Sequence, residues 1–272
     1  MRVASAVSAI SDGLVVAKRN LIKIKRVPDL LVFTTLQPIM FVLLFAYVFG
    51  GAIEIKGSSY NEFLIAGIFA QTVVFGATIT GAGLAEDIQK GIIDRFRSLP
   101  MSPSAVLFGR TLSDVLNNVI VVAVMSITGL VVGWRIRNSV LEAVGGFLIL
   151  LAFAYAFSWV MAMVGLLAPS PEVVNNASFV VIFPLTFVAN TFVQISTLPE
   201  PLRTFAEWNP VSAVTEAARQ LFGNIPPVVP GAPVSDSWAL QHPATYTLMW
   251  CVAILVIFVP LTTWQFRRSV SR

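Results

Sequence analysis

Several uncharged amides that could do chemistry lie inside the apolar runs of this chain. Among them are Gln37, Gln71, Asn117, Asn118 and Asn190. A side-chain amide both donates and accepts hydrogen bonds, so an apolar lining with such groups would suit an amphipathic, lipid-soluble compound. Buried amides more often join two helices by hydrogen bonds, which is the stronger interpretation. The candidate substrate-pathway residues are Gln37, Gln71, Asn118 and Asn190.

Ionisable groups are scarce in the same apolar runs. Asp114 lies within one of them, near its end. Transporters driven by protons or ions usually carry such groups near the middle of the membrane, so their scarcity counts against secondary transport. The single cysteine, Cys251, excludes an internal disulfide, and the single histidine, His242, lies at a predicted membrane interface. We therefore predict no metal site.

Motifs for catalysis and nucleotide binding are missing from the sequence. It contains no G-x-x-x-x-G-K-[ST] loop that would cradle phosphates, and no H-E-x-x-H or G-x-S-x-G. With one histidine, a conventional catalytic triad is not available either. The chain is therefore not expected to be an enzyme by itself or to bind a cofactor, and energy for transport must come from elsewhere.

One stretch, residues 86–103, alternates charge and hydrophobe at helical spacing. Its apolar positions are Ile88, Ile92, Phe96 and Leu99. Charged residues occupy much of the remaining surface, and two prolines end the pattern. The spacing predicts a short amphipathic helix over residues 86–99. Such a helix could be a solvated connector, a membrane-surface helix, or a protruding helix that binds a soluble partner.

The elements that must position these groups are six long apolar runs. The chain is 56% hydrophobic and 12% charged, whereas a soluble domain has roughly 25% charged residues. Apolar runs of about 20 residues cross a membrane as helices. The runs lie at about 30–49, 63–84, 106–132, 143–167, 173–192 and 246–266. We predict one all-α integral membrane domain, residues 1–272, with six transmembrane helices.

Two further segments have a different character. Residues 4–27 carry apolar residues at spacings of three and four, with most basic residues elsewhere on the helix. This pattern predicts an amphipathic helix in the headgroup layer, or alternatively a soluble cytoplasmic helix. Residues 193–242 are too polar to span and too apolar for an ordinary loop, so we expect short helices there. One of them is bounded by Asn209 and Gly223.

The distribution of Lys and Arg predicts the orientation. Thirteen of the 18 lie on the side that contains both termini and residues 86–103. Both termini are therefore predicted to be cytoplasmic, and residues 193–242 to face outward. These charges gather beside the apolar runs, which argues against nucleic acid as a partner of this basic chain.

Two stretches resemble a known family. Gly91 to Arg110, GIIDRFRSLPMSPSAVLFGR, closely resembles the cytoplasmic loop of membrane subunits of the daunorubicin-resistance type. These subunits are ABC-2 permeases of ATP-driven exporters. Leu198 to Gly223, LPEPLRTFAEWNPVSAVTEAARQLFG, is similar to the C-terminal signature region of the same permeases. The six-span plan and the amphipathic N-terminal segment agree with both, so the resemblance covers essentially the whole chain.

The resemblance implies a half-transporter in the bacterial cytoplasmic membrane. Two such subunits, alike or merely similar, would pair among the membrane lipids above two cytosolic ATPase subunits, which bind ATP and Mg²⁺. Residues 4–27 would be the interface helix, 199–223 the outer helices, and 86–99 the coupling helix that docks into the ATPase. The implied ATPase-coupling residues are Glu86, Asp87, Ile88, Gly91, Ile92, Asp94, Arg95, Phe96, Arg97 and Leu99.

The function that this resemblance implies is export of hydrophobic or amphipathic compounds of the drug and antibiotic class. An ABC exporter of lipid or polysaccharide has a similar architecture and is the nearest alternative. A channel or secondary transporter that works without an ATPase is a further alternative from a different class. A membrane-embedded enzyme is the third, although its catalytic constellation is missing. Substrate identity and the choice between homodimer and heterodimer stay open.

Overall fold

The computed structural model describes residues 28–50, 59–92, 103–226 and 237–270, together with Val15 and Ile22. The regular elements of these residues are all helices, which confirms the predicted all-α class. In chain order they are α1 (Pro28–Leu44) with a π-helical turn (Phe45–Phe49), α2 (Tyr60–Gly76), α3 (Thr78–Gln89), α4 (Pro103–Val132), α5 (Val140–Leu167), α6 (Pro171–Phe187), a 3₁₀ turn (Ile195–Thr197), α7 (Glu200–Trp208), α8 (Pro210–Phe222), α9 (Trp238–Gln241) and α10 (Pro243–Val270).

Four helical stretches of the described residues are long and apolar enough to cross a membrane. They are Tyr60–Gln89, Leu107–Val132, Val140–Leu167 and Pro243–Arg268. The first predicted span contains a shorter apolar helix, Thr35–Val48. The fifth predicted span forms α6, which has only 17 residues. The structure therefore supports four spans, and the count of six stays a prediction.

The fifth predicted span, residues 173–192, stops being helical at Phe187. The chain then turns and packs against α2. A Cβ atom on Gly67 would lie only 2.2 Å from the carbonyl oxygen of Thr191, so the turn and α2 touch backbone to backbone. Ala189 and Phe192 are buried in this turn. An apolar run can continue past the end of a helix in this way, because the turn itself lies in the protein interior.

α2 lies at the centre of the helix assembly. All residues from Phe63 to Val74 are buried, as is typical of a helix that is apolar on every side. α2 ends at Gly76, and α3 begins at Thr78 after the single residue Ala77. A Cβ atom on Gly165 of α5 would lie 2.3 Å from the carbonyl oxygen of Gly81 in α3. Glycines thus allow these helices to approach closely, a use of small residues typical of membrane helices.

α3 ends at Gln89, which corrects the predicted continuous helix over residues 86–99. Lys90 caps the helix, and Gly91 has a φ of +63°. This left-handed conformation commonly terminates helices and is available to glycine at little cost. Ile88 and Ile92 therefore do not lie on one face of a continuous helix.

Two predicted elements fall wholly or partly outside the described residues. One is the predicted coupling helix 86–99, whose second half, from residue 93 onward, lies outside them. Apart from Val15 and Ile22, the predicted interface helix 4–27 is the other.

α8 is the most deeply packed of the short outer helices. The Asn209 side chain accepts a hydrogen bond from the Val211 N–H at 2.9 Å, and Gly223, with a φ of +73°, ends the helix. Beyond this end, Trp134 Nε1 donates to Asn224 Oδ1 at 2.7 Å. These bonds join the end of α8 to the loop that follows α4, which places both on the same side of the assembly.

Candidate functional site

A cavity of about 260 Å³ lies between α1, α2 and α4. Its polar lining consists of Gln37, Gln71, Thr72, Thr78, Asn117 and Asn118. The cavity therefore contains three of the four predicted pathway residues, and the fourth, Asn190, lies elsewhere. None of the described residues that line it carries an ionised side chain. An uncharged, amphipathic group is the kind of ligand that such a lining suits.

Three amides of the cavity lining are buried within the protein. They are Gln71, Asn117 and Asn118, and Asn118 is only 2% exposed. A side-chain amide both donates and accepts hydrogen bonds. Each of the three therefore offers hydrogen bonds to a ligand or water inside the cavity.

Phenylalanines border the cavity and continue away from it as a series of adjacent rings. The series is Phe75, Phe179, Phe183, Phe187, Phe192, Phe45 and Phe41. Neighbouring ring centroids lie between 4.0 and 6.4 Å apart. Both ends of the series, Phe41 and Phe75, line the cavity. The rings present flat apolar surface beside the amides, which favours aromatic ligands.

A cluster of buried polar and charged residues lies where α3 packs against α4. We call Thr80, Asp87, Arg110 and Asp114 the α3–α4 ion cluster. Arg110 Nε lies 3.5 Å from Asp114 Oδ2, and its Nη1 lies 4.0 Å from Asp87 Oδ2. Arg110 Nη2 also donates to the carbonyl oxygen of Ile79 at 2.9 Å, and Thr80 Oγ1 donates to Asp114 Oδ2 at 2.5 Å. The cluster thus connects the two helices that flank residues 90–102.

Asp87, one of the implied ATPase-coupling residues, is buried where α3 meets α4. The residue is 6% exposed and faces Arg110 rather than solvent. Ile88 is exposed, and Glu86 forms an ion pair with Lys90. The hydrogen bond and the charge of Glu86 raise the pKa of Lys90. Of the first three implied coupling residues, Glu86 and Ile88 are therefore accessible, whereas Asp87 joins two helices.

Asn190 belongs to a second polar network, on the side of the short outer helices. Arg219 is fully buried there and donates from Nε to the Phe63 carbonyl at 3.0 Å. Its Nη2 donates to the Asn190 carbonyl at 2.7 Å, and Nη1 donates to Asn190 Oδ1. Asn190 Nδ2 donates to Glu216 at 2.8 Å. Asn190 therefore joins helices by hydrogen bonds, as most buried amides do, and does not reach the cavity.

The role of Arg219 was not found from the sequence, where its charge placed it among the loop cations of the outer side. A signal was present in the pattern of α8. Val211, Thr215, Ala218 and Phe222 form the buried face of this helix, and Arg219 lies among them. A charged residue on the apolar face of an amphipathic helix indicates a buried partner.

Comparison with known proteins gives a family match over most of the chain. Residues 13–222 match the family described as ABC-2 type transporter. The daunorubicin resistance ABC transporter permease protein DrrB1 of Streptomyces coeruleorubidus is 34% identical over 264 residues, which is 96% of this chain and 88% of that protein.

Two more distant relatives cover most of the chain as well. The doxorubicin resistance ABC transporter permease protein DrrB of Mycobacterium tuberculosis (strain ATCC 25618 / H37Rv) is 26% identical over 214 residues, 79% of this chain and 72% of that protein. The putative transport permease ycf38 of Pyropia yezoensis is 25% identical over 214 residues, 76% of this chain and 72% of that protein. Each of these relatives is named as a permease.

Proposed function

The chain belongs to the ABC-2 type transporter family, and from that premise we propose that it is the membrane subunit of an ATP-driven exporter. Its substrates are hydrophobic or amphipathic compounds of the drug and antibiotic class. The observation that carries this proposal is the 34% identity, over 96% of the chain, to a permease named for daunorubicin resistance. The energy comes from a separate ATPase, since the sequence has no phosphate-binding loop.

In the assembled transporter, two permease subunits, alike or similar, lie in the cytoplasmic membrane above two ATPase subunits. Both termini and residues 90–102 face the cytosol, an orientation that the excess of Lys and Arg on that side supports. The end of α3 and the segment that follows Gln89 meet the ATPase. Glu86, Ile88, Gly91 and Ile92 begin this contact, and the stretch from Asp94 to Leu99 completes it.

The amide-lined cavity between α1, α2 and α4 is the substrate site. Its amides supply hydrogen bonds to the polar edge of a compound, and Phe41 and Phe75 supply apolar contact. The volume of about 260 Å³ is close to the lower limit of about 300 Å³ for drug-sized pockets. A larger compound therefore requires the cavity to widen during transport, which is work that ATP binding on the partner subunit can perform.

Replacement of Asn118 by leucine tests the substrate site. Leucine retains approximate volume but removes one hydrogen-bonding group, so half-maximal transport should need roughly three- to ten-fold more substrate, the effect of one neutral hydrogen bond. Daunorubicin, which is fluorescent, serves as the probe in inside-out membrane vesicles that contain the permease and its ATPase.

The control is Gln241→Leu, which removes an exposed amide of α9 far along the chain from the cavity-lining residues. Equal daunorubicin transport by Asn118→Leu and wild type would contradict the assignment of the cavity. Uptake that does not depend on ATP in wild-type vesicles would contradict the proposed exporter itself.

A further inference from the structure

The α3–α4 ion cluster lies between the segment that would meet the ATPase and the cavity that would bind substrate. Asp87 is close to the end of α3, just before residues 90–102, and Arg110 lies about two helical turns after the start of α4 at Pro103. The cluster therefore connects the helix that enters this segment to the helix that leaves it. A displacement of the segment acts on both helices at this point.

The same two helices lead directly from the cluster to the cavity. Arg110 Nη2 bonds to the carbonyl oxygen of Ile79, and Ile79 lines the cavity. On α4, Asn117 and Asn118 follow Arg110 by about two turns. At this level α2 and α4 touch, because a Cβ atom on Gly76 would lie 2.6 Å from Asn118 Oδ1. Cluster and cavity are thus parts of one continuous contact between α2–α3 and α4.

Arg110 is the residue on which the cluster depends. Its guanidinium is the cation shared by Asp87 and Asp114, and it reaches the backbone of α3 as well. Gly83 leaves room for it, since a Cβ atom at that position would lie 1.8 Å from Arg110 Nη2. A planar, forked donor can hold several acceptors in fixed directions, which an ammonium group cannot do. Its Nη2 forms a hydrogen bond to the backbone, whereas its contacts with Asp114 and Asp87 are ion pairs at 3.5 and 4.0 Å, and within the described residues Nε has no hydrogen-bond partner. One hydrogen bond and the attraction between buried opposite charges therefore hold the two helices together here.

We propose that Arg110 is a positioning residue that transmits movement of residues 90–102 to the amide-lined cavity. It does so by holding α3 and α4 together, so that displacement of α3 by the ATPase also displaces the cavity wall formed by α4. This inference rests on the proposed function. Without the guanidinium, the two helices separate under load, and ATP hydrolysis continues without a matching change in the cavity.

A cysteine in the cavity reports this movement. Cys251 is the only cysteine of the chain, so Cys251→Ala followed by Val121→Cys places one thiol in the cavity lining. Inside-out vesicles that contain the permease with its ATPase are treated with N-ethylmaleimide, with and without ATP and vanadate. We expect ATP and vanadate to change the alkylation rate in the parent protein. Arg110→Gln should reduce that change by about five-fold or more, the lower end of typical coupling between sites.

Two further variants separate positioning from folding. Arg110→Lys keeps the positive charge but lacks the planar, forked guanidinium, so it should restore only part of the ATP-dependent change. Gly83→Ala keeps every charge and displaces the guanidinium, and it should behave like Arg110→Gln. Gly145→Ala is the matched control, since its added Cβ atom would lie 3.6 Å from Leu221, an ordinary contact. Co-purification of the ATPase and its hydrolysis rate verify that each complex is intact.

The outcomes distinguish the inference from its premise. A full ATP-dependent change in both Arg110→Gln and Gly83→Ala would overturn the role of Arg110 while leaving the exporter in place. If the parent protein shows no ATP-dependent change at Val121→Cys, the proposed function itself is contradicted. Loss of the change in Gly145→Ala as well would show that any added methyl group has this effect, which also overturns the assignment to Arg110.

Discussion

At the scale of single residues, two arginines join helices by bonding to carboxylates and backbone carbonyls together. Arg110 contacts Asp114 and the carbonyl of Ile79. Arg219 bonds to the carbonyls of Phe63 and Asn190. A guanidinium carries five N–H donors in a fixed plane, so it can satisfy several acceptors that the apolar surroundings would leave unpaired. Each arginine thus stabilises a junction that apolar packing alone does not satisfy.

Arg219→Met should lower the stability of the protein strongly. The change leaves the Glu216 carboxylate without its cation and two backbone carbonyls without a donor. Breaking a buried ion pair from one side costs about 3–5 kcal/mol. The measurement is the temperature at which half of the detergent-solubilised protein ceases to be monodisperse.

Lys90→Met is the matched control for Arg219→Met. It removes a cation from the pair of Lys90 and Glu86, which lie four residues apart at the end of α3 with side chains 59% and 34% exposed. Exposed pairs at this spacing contribute about 0.3–0.5 kcal/mol, so the midpoint of this variant should change little. Similar midpoints for the two variants would contradict the structural role of Arg219.

At the scale of helices, apolar run length and spacing predicted where most helices lie but not where they end. The run at 143–167 became α5, which begins three residues earlier at Val140. Ser139 explains that start, because its side chain and that of Glu142 form a reciprocal cap. The end of α6 at Phe187 was not predicted, since the following turn is as apolar as a helix. Apolar composition indicates that residues are buried, and it does so equally for a buried helix and for a buried turn.

The break at Gly91 was missed for a different reason. Helical spacing continues through this position, so the pattern of Ile88, Ile92 and Phe96 indicated one helix. A glycine inside such a pattern lowers helix propensity by about 1 kcal/mol, a cost that spacing does not register. The sequence therefore predicted the amphipathic character of the segment. That α3 ends before Gly91 became clear only from the backbone conformation in the structure.

Close contact between α3 and α5 gives a prediction at the scale of helices. A Cβ atom on Gly165 would lie 2.3 Å from the carbonyl oxygen of Gly81, which is backbone and cannot rotate away. Gly165→Ala should therefore push the two helices apart and destabilise the protein by about 1–3 kcal/mol, as overpacking does. The thermal midpoint in detergent measures this, with Gly145→Ala as the control. An unchanged midpoint would show that α3 and α5 have room to separate.

At the scale of the whole molecule, three polar groups lie at successive levels of the helix assembly. The α3–α4 ion cluster is at one end, the amide-lined cavity follows on α2 and α4, and the Arg219 network is beside the short helices α7 and α8. The sequence predicted the amides and the cytosolic segment as separate features. It did not predict that Gln37, Gln71 and Asn118 share one cavity, because contacts between α1, α2 and α4 join residues far apart in the chain.

Association with an ATPase is the property of the whole assembly that the exporter requires. The apolar side chains of Ile92 and Phe96 supply contact area in the proposed interface, so replacing both by aspartate should introduce unpaired charge there. Loss of two anchors of this kind, each worth about 2 kcal/mol or more, should weaken association by about 1,000-fold. A pull-down with tagged permease from solubilised membranes should then recover the ATPase with wild type and not with the double variant.

The matched control for this pull-down is Val140→Asp with Leu141→Asp, which also adds two carboxylates at exposed apolar positions. Both residues are 82% exposed at the start of α5, where acidic side chains interact favourably with the helix dipole. This variant should retain the ATPase. If the Ile92 and Phe96 variant also retains it, the segment after Gln89 is not the docking element. If the ATPase is absent even from wild type, an ATPase-independent channel or secondary transporter becomes the better account of the amide-lined cavity.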